Sequence, residues 1–310
     1  MTGRVPLVAV EPAGDPRVSF LADAVVAGGG KVVSPAEAEA LVWTDPRQAE
    51  GLAALLDAHR NLGWIQLPWA GIEPQVAVVQ AHPERTWTCG KGVYAEPVAE
   101  HALALALAGR RRLDRYAAAR RWTKPQGENL LGARVTILGG GGIADSLLRL
   151  LGPFGCDVTV VRSTPQPMAG ADRVVPVDQT DEALTGADVV VLALPVTPET
   201  VGVIDMARLG LLAPGAVLVN VARGQHVVTD DLIPALEDGP LAGVGLDVTD
   251  PEPLPDDHPL WDRDDVIITP HTANTPEMGL PLLAARVTEN IRRYAAGESL
   301  LGPVDPAKGY

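Results

Sequence analysis

Short apolar runs rich in β-branched residues recur along this chain and alternate with helix-like stretches. That rhythm favours a parallel sheet with crossover helices. In the first third, strands are expected at Val5–Val10, Lys31–Val33, Ala40–Thr44, Gly63–Leu67 and Thr86–Thr88, with helical material such as Ala49–Ala58 between some of them. A second series begins at Arg134 and runs Arg134–Leu138, Asp157–Val161, Asp188–Leu194, Ala216–Val221, Gly243–Val248 and Val266–Thr269. A long helix is expected over Pro97–Arg121 between the series, since proline suits a first helical turn, and a last helix over Pro281–Ala296. At 310 residues the chain is long for one core, which points to two domains. The expected fold class is therefore α/β, with two doubly wound sheets.

Composition narrows the function classes. Hydrophobic residues make up 46% of the chain, which is globular, and the net charge of −14 argues against nucleic acid or anionic membranes as partners. An anionic substrate is repelled at long range, so local cations or backbone donors must capture it. The most apolar helical run, Ala102–Ala108, falls far below the roughly 20 residues of a membrane span. Met1–Val10 holds no signal-peptide core. Cys89 and Cys156 form no metal or redox pattern, so no metal is expected and a cytoplasmic location is. The basic residues Arg110, Arg111, Arg112, Arg115, Arg120 and Arg121 read as a solvated or subunit-facing helix surface.

Between the strand Arg134–Leu138 and the helix Ile143–Leu151 lies Gly139-Gly140-Gly141-Gly142-Ile143-Ala144, which fits G-x-G-x-x-A. Gly139 permits a tight turn, Gly141 lets backbone approach a pyrophosphate, and Ala144 lets the helix pack closely. The helix N-terminus then faces the phosphate charge. Alone such a run could be a flexible turn, but strand before and helix after favour dinucleotide binding. Where an acidic residue usually holds the ribose hydroxyls, the second strand ends Val161-Arg162-Ser163-Thr164. Arg162 could pair with a 2′-phosphate and Ser163 could hydrogen-bond it, so NADP is preferred over NAD.

Three later segments place a polar residue at the end of an apolar strand, where open α/β sheets bind ligands. They are Asn220-Val221-Ala222-Arg223-Gly224, then Leu246-Asp247-Val248 followed by Glu252-Pro253-Leu254, and Thr269-Pro270-His271-Thr272-Ala273. Each has a plain structural explanation by itself. Together, an Arg, a Glu and a His beside a nucleotide loop form an inventory for hydride transfer. His226 is the rival worth testing. His101 reads as a packing or hydrogen-bonding residue on the long helix, His258 as structural, and His59 and His82 as surface residues.

With those segments in view, the chain resembles the D-isomer-specific 2-hydroxyacid dehydrogenases, in particular the glyoxylate/hydroxypyruvate reductase-like members. The matching stretches include Trp69–Glu73, Ala99–Leu103, the glycine loop, Leu194–Thr200, Asn220–Gly224, Leu246–Leu254, His258–Trp261 and Pro270–Ala273. The resemblance implies a flavodoxin-like substrate domain (residues 1–96 plus 274–310), a Rossmann cofactor domain (97–273), an active site between them and a homodimer. It implies reduction of a 2-keto acid to a D-2-hydroxy acid, or the reverse, with His271 as proton carrier. Glu252 would pair with His271, and Arg223 would bind the substrate carboxylate and keto oxygen. Trp69, Ala70 and Gly71 would border the substrate, with backbone N–H groups near Ala70 and Gly71 holding its carboxylate.

The cofactor would meet Gly139, Gly141, Gly142, Ile143, Arg162 and Ser163, then Leu194, Pro195, Thr200, Val221, Ala222, Arg223, Asp247 and His271. Departures are visible. Gly142 stands where many relatives carry Arg, and Asp145 adds negative charge near the helix start. Glu73 replaces a common Asp, and Asn274 stands where a small residue or Trp is commoner. A nucleotide-sensing, corepressor-like interaction protein on the same fold is the alternative function. Formate dehydrogenase ranks low, because it carries Gln where Glu252 stands.

Overall fold

The computed structural model describes residues 4–307, which divide into two compact units, one up to Tyr94 and from Thr275 on, the other Ala95–Asn274. The first unit runs β1 (Leu7–Glu11), α1 (Val18–Ala27), β2 (Lys31–Val32), β3 (Ala40–Trp43), α2 (Ala49–Ala58), β4 (Trp64–Gln66), α3 (Val76–Ala81) and β5 (Thr86–Thr88). Its strands form one parallel sheet in the order β2-β1-β3-β4-β5, the flavodoxin-like arrangement. Trp43, Trp64 and Trp87 are buried in it. Leu52, Leu56 and Val79 cover one face. Leu21 and Val25, with Leu283, Val287 and Ile291, cover the other.

The second unit carries α4 (Ala95–Arg110), α5 (Leu113–Ala118), β6 (Arg134–Leu138), α6 (Gly142–Leu151), β7 (Asp157–Val161), β8 (Arg173–Val175), α7 (Thr180–Leu184), β9 (Val189–Leu192), α8 (Met206–Leu209), β10 (Ala216–Asn220), α9 (Leu232–Glu237), β11 (Leu241–Leu246) and β12 (Val266–Ile268). The sheet order β12-β11-β10-β9-β6-β7-β8, parallel throughout, is the doubly wound nucleotide-binding order with one added strand. The chain crosses from one half of the sheet to the other beside β6, so the tips of β6 and β9 mark the switch point. Helix α4 lies hard on this sheet, because a Cβ on Gly109 would sit 2.7 Å from Val217 and one on Gly245 would sit 2.8 Å from Leu105. The predicted α/β class with two doubly wound sheets is what the chain adopts.

Three expectations change. The long helix is broken at Arg112, a left-handed residue (φ 54°), and resumes as the short α5. The arginine cluster is not simply a solvated face. Arg110 and Arg112 are buried, and Arg110 donates to the carbonyls of Asn129 and Gly215, tying down backbone past the end of α4. The last helix, α10 (Pro276–Ala296), starts before Pro281, with Thr275 capping its first turn through Met278 N.

Candidate active site

At the tip of β6, Gly139 has φ +109°, and a Cβ there would lie 2.2 Å from the Ala193 carbonyl, so only glycine fits. Gly141 caps α6 without a side-chain cap, and a Cβ there would meet nothing within 4 Å, so this backbone is open to a ligand. Ala144 is fully buried beneath the helix, as close packing requires. Gly142 and Ile143 form the first turn, with Asp145 exposed beside them. The side chain of Arg162, one residue past β7, lies across Gly140. A Cβ on Gly140 would come within 2.7 Å of Arg162 Cδ and 2.9 Å of its Nε. Gly140, an unconstrained position in the motif, is therefore the glycine that makes room for the arginine. Ser163 follows, exposed.

The next tip, after β9, is a turn closed on itself. Thr200 Oγ1 accepts from Thr197 N (2.7 Å) and donates to the Pro195 carbonyl (2.9 Å). His226, fully buried, reaches into this turn with Nδ1 3.0 Å from the Thr200 carbonyl and Nε2 3.1 Å from the Leu194 carbonyl. As a rival proton carrier it fails on geometry, since both ring nitrogens face backbone oxygens and none of the ring reaches solvent. Val221 and Ala222, after β10, are buried.

Asn220, at the end of β10, accepts from Ala222 N (3.0 Å) and donates to the Arg223 carbonyl (2.8 Å), shaping the turn that carries Arg223. Arg223 is half-buried, and one of its Nη atoms donates to the Ala222 carbonyl. Gly224 presses this turn onto the Glu252 loop, because a Cβ there would lie 1.9 Å from the Thr249 carbonyl and 2.5 Å from Asp250 N. The signal for Gly224 was present in the sequence as the glycine directly after Arg223.

His271 Nδ1 stands 2.8 Å from Glu252 Oε1, with both side chains about half exposed. A carboxylate only accepts, so the Nδ1 proton points at Glu252. Nε2 then has no hydrogen bond among the described residues. The backbone of His271 is left-handed (φ 52°), a conformation that costs energy for a residue with a side chain. It is imposed from below. Asp247, 2% exposed, accepts from Thr269 Oγ1 (2.6 Å), Thr272 N (2.8 Å) and Ala273 N (3.1 Å), while its own carbonyl accepts from His271 N (2.8 Å). The Asp247 carboxylate, expected around the cofactor, is thus engaged with the turn that presents His271. His101 on α4 completes the group, with Nε2 3.0 Å from Thr269 Oγ1 and 3.5 Å from Asp247 Oδ1. The hydrogen-bonding expected of His101 is present, but sequence reading gave Thr269 no role and did not foresee their pairing, because the two lie more than a hundred residues apart.

In the first unit, Trp69, Ala70 and Gly71 follow β4 as an exposed loop fixed through its carbonyls. Gly90 N donates to Trp69 O (2.8 Å), the Tyr94 hydroxyl to Pro68 O (2.5 Å), and the Cys89 thiol to Ala70 O (3.6 Å). Arg286 on α10 grips the neighbouring carbonyls of Cys89 (3.3 Å) and Lys91 (3.1 Å). Burial pushes the Tyr94 phenol and the Cys89 thiol up and the Arg286 guanidinium down, which keeps the phenol and thiol in their donor forms at neutral pH. No cluster of metal-ligating side chains occurs among the described residues.

The family described as "D-isomer specific 2-hydroxyacid dehydrogenase, NAD binding domain" matches residues 101–273, the stretch that holds the glycine loop and the Arg223, Glu252 and His271 turns. The chain belongs to the D-isomer specific 2-hydroxyacid dehydrogenases. As a member it is an NAD(P)-dependent oxidoreductase. It is 33% identical over 285 residues to a glyoxylate/hydroxypyruvate reductase A of Serratia proteamaculans, covering 87% of each chain. It is 40% identical over 260 residues to an uncharacterized protein of Corynebacterium melassecola, covering 82% of this chain and 86% of that one. Among solved structures, a D-isomer specific 2-hydroxyacid dehydrogenase from Xanthobacter autotrophicus, crystallised with NADPH and MES, superposes with a TM-score of 0.82 at 29% identity, covering 99% of this chain and 100% of the other. For this dehydrogenase, no described helix is long and apolar enough to cross a membrane.

Proposed function

We propose that this dehydrogenase reduces small 2-keto acids of the glyoxylate and hydroxypyruvate type to D-2-hydroxy acids, with NADPH preferred over NADH and His271 as proton donor. The contact that carries the reading is His271 Nδ1 on Glu252, which leaves Nε2 for a substrate oxygen. The identity to a glyoxylate/hydroxypyruvate reductase A supports the substrate class.

A dinucleotide fits the residues present. The positive-φ Gly139, the open backbone at Gly141 and the uncapped start of α6 suit a pyrophosphate, and Leu194, Pro195, Thr200, Val221 and Ala222 follow along the same strand tips. Arg162, held over Gly140, together with the exposed Ser163 would take a 2′-phosphate, and an NADPH complex in a 29% identical relative supports that preference. When bound, the reduced nicotinamide supplies the hydride. The protein's own groups do the rest. Backbone N–H groups of Ala70 and Gly71 hold the substrate carboxylate, and the Arg223 guanidinium orients carboxylate and keto oxygen through its planar fork. His271 gives its Nε2 proton to that oxygen while Glu252, bonded at Nδ1, keeps the ring oriented. In this reading residues 97–273 form the cofactor domain, residues 1–96 with 274–310 form the substrate domain, and the enzyme is cytoplasmic. A homodimer formed through the cofactor domain would cover the exposed Leu113, Trp122 and Leu131 beyond α4.

The test is NADPH oxidation with glyoxylate and hydroxypyruvate, in wild type and Arg162→Ala. Turnover of either acid is expected, with the variant losing affinity for NADPH and not for NADH. Inactivity toward every small 2-keto acid overturns the function, and equal effects on both cofactors overturn the preference.

A further inference from the structure

Three of the tryptophans in the first unit, Trp43, Trp64 and Trp87, are buried in the sheet's core, but Trp69 is 40% exposed on the loop after β4. It is not left bare. The guanidinium carbon of Arg47 lies over its ring, 5.9 Å from the centroid, within cation–π range. Both segments are anchored. Gly90 N holds the Trp69 carbonyl, and the buried Gln75 side chain donates to the Pro46 carbonyl just before Arg47.

The charge of Arg47 is left available. Asp45, the nearest acidic residue in sequence, has Oδ1 on Arg47 N (2.9 Å) and Oδ2 on Gln48 Nε2 (2.9 Å), so its oxygens serve the turn and not the guanidinium. No carboxylate among the described residues pairs with the Arg47 guanidinium. Arg17, on the loop after β1, is by contrast locked onto Asp15 through Nε and Nη2. Arg286 is committed to the carbonyls of Cys89 and Lys91. Arg47 is thus an exposed cation seated over the ring of Trp69, the residue before Ala70, in a protein whose net charge is −14.

We propose that Arg47, stacked on Trp69, is a specificity-determining residue that selects 2-keto acids carrying a second carboxylate at the end remote from the keto group. This rests on the functional reading above, in which the Ala70 and Gly71 N–H groups take the carboxylate next to the keto carbon. The guanidinium lies over the indole of the residue preceding that backbone, a placement that suits the remote end of a substrate rather than its reacting end. A planar guanidinium donates two parallel hydrogen bonds to a carboxylate, and a cation–π contact with the ring does not use up those donors. Against the overall negative charge, a keto-dicarboxylate needs such a local cation more than a monocarboxylate does.

The experiment compares kcat/KM for 2-oxoglutarate and 2-oxopentanoate, equal in carbon number, with NADPH as reductant and glyoxylate and hydroxypyruvate as controls. Wild type is expected to favour 2-oxoglutarate. Arg47→Ala is expected to lower the 2-oxoglutarate to 2-oxopentanoate ratio about fivefold, the scale of an exposed ion pair. Arg47→Lys should retain part of the preference, and unchanged NADPH binding shows that the variants fold. A ratio that Arg47→Ala leaves unchanged, or a parallel loss on both acids, overturns this proposal alone. Failure of all four acids, 2-oxoglutarate included, to oxidise NADPH overturns the functional reading as well.

Discussion

Asp247 and Pro68 stand at comparable places, each just past the end of a parallel strand next to a functional turn, yet the turns are held in opposite ways. In the Ala95–Asn274 unit, buried polar side chains reach outward to set the backbone. Asp247 sets the His271 turn, Asn220 the Arg223 turn and His226 the Leu194–Thr200 turn. In the other unit the segment after β4 offers its carbonyls inward: Trp69 O to Gly90 N, Pro68 O to the Tyr94 hydroxyl and Ala70 O to the Cys89 thiol. On the proposed function, the difference follows the work. A proton carrier needs its side chain fixed, which takes a committed supporting network. A loop that binds through backbone N–H groups needs only its main chain fixed, so its side chains stay free to set specificity.

The contrast can be broken by substitution, and the largest effect is expected at Gly224. A Cβ there collides with the Thr249 carbonyl at 1.9 Å, so Gly224→Ala must part the Arg223 turn from the Glu252 loop. We expect a loss of about 3 kcal/mol in denaturant unfolding, with activity nearly abolished. An active, equally stable variant would show that these two turns do not depend on one another. Asp247→Asn comes next, removing a charged acceptor from beneath His271. A loss of about 2 kcal/mol is expected, with a fall in kcat larger than any change in keto-acid KM. The smallest effect belongs to the backbone-built loop. Tyr94→Phe removes one donor from the Pro68 carbonyl, for which about 1 kcal/mol and a rise in keto-acid KM with little change in kcat are expected. A kcat defect in Tyr94→Phe as large as in Asp247→Asn would erase the distinction.

Much of this was legible in the residues. Strands β6, β7 and β10 announce themselves by β-branched runs, and the glycine loop by its place between strand and helix. The strand β8 (Arg173–Val175) went unread, because it is three residues long at the sheet edge and begins with an exposed arginine. The helix break at Arg112 also left no local mark, since neither Gly nor Pro stands there, and Pro281 looked like a helix start while lying inside α10. Of the candidate site, the His271–Glu252 contact could be anticipated from the residues at and after the strand ends. Their supports could not. His226 and Asp247 act through contacts between distant segments, and such contacts follow from sheet order and not from local pattern.

The most direct test is the steady-state reduction of glyoxylate and hydroxypyruvate by His271→Asn, alongside an NADPH titration. The expected result is a kcat about a thousandfold below wild type, the scale of a lost general acid, with saturable NADPH binding retained. Wild-type turnover in that variant would contradict the assignment of the proton to His271, and with it the purpose given to the Asp247 network.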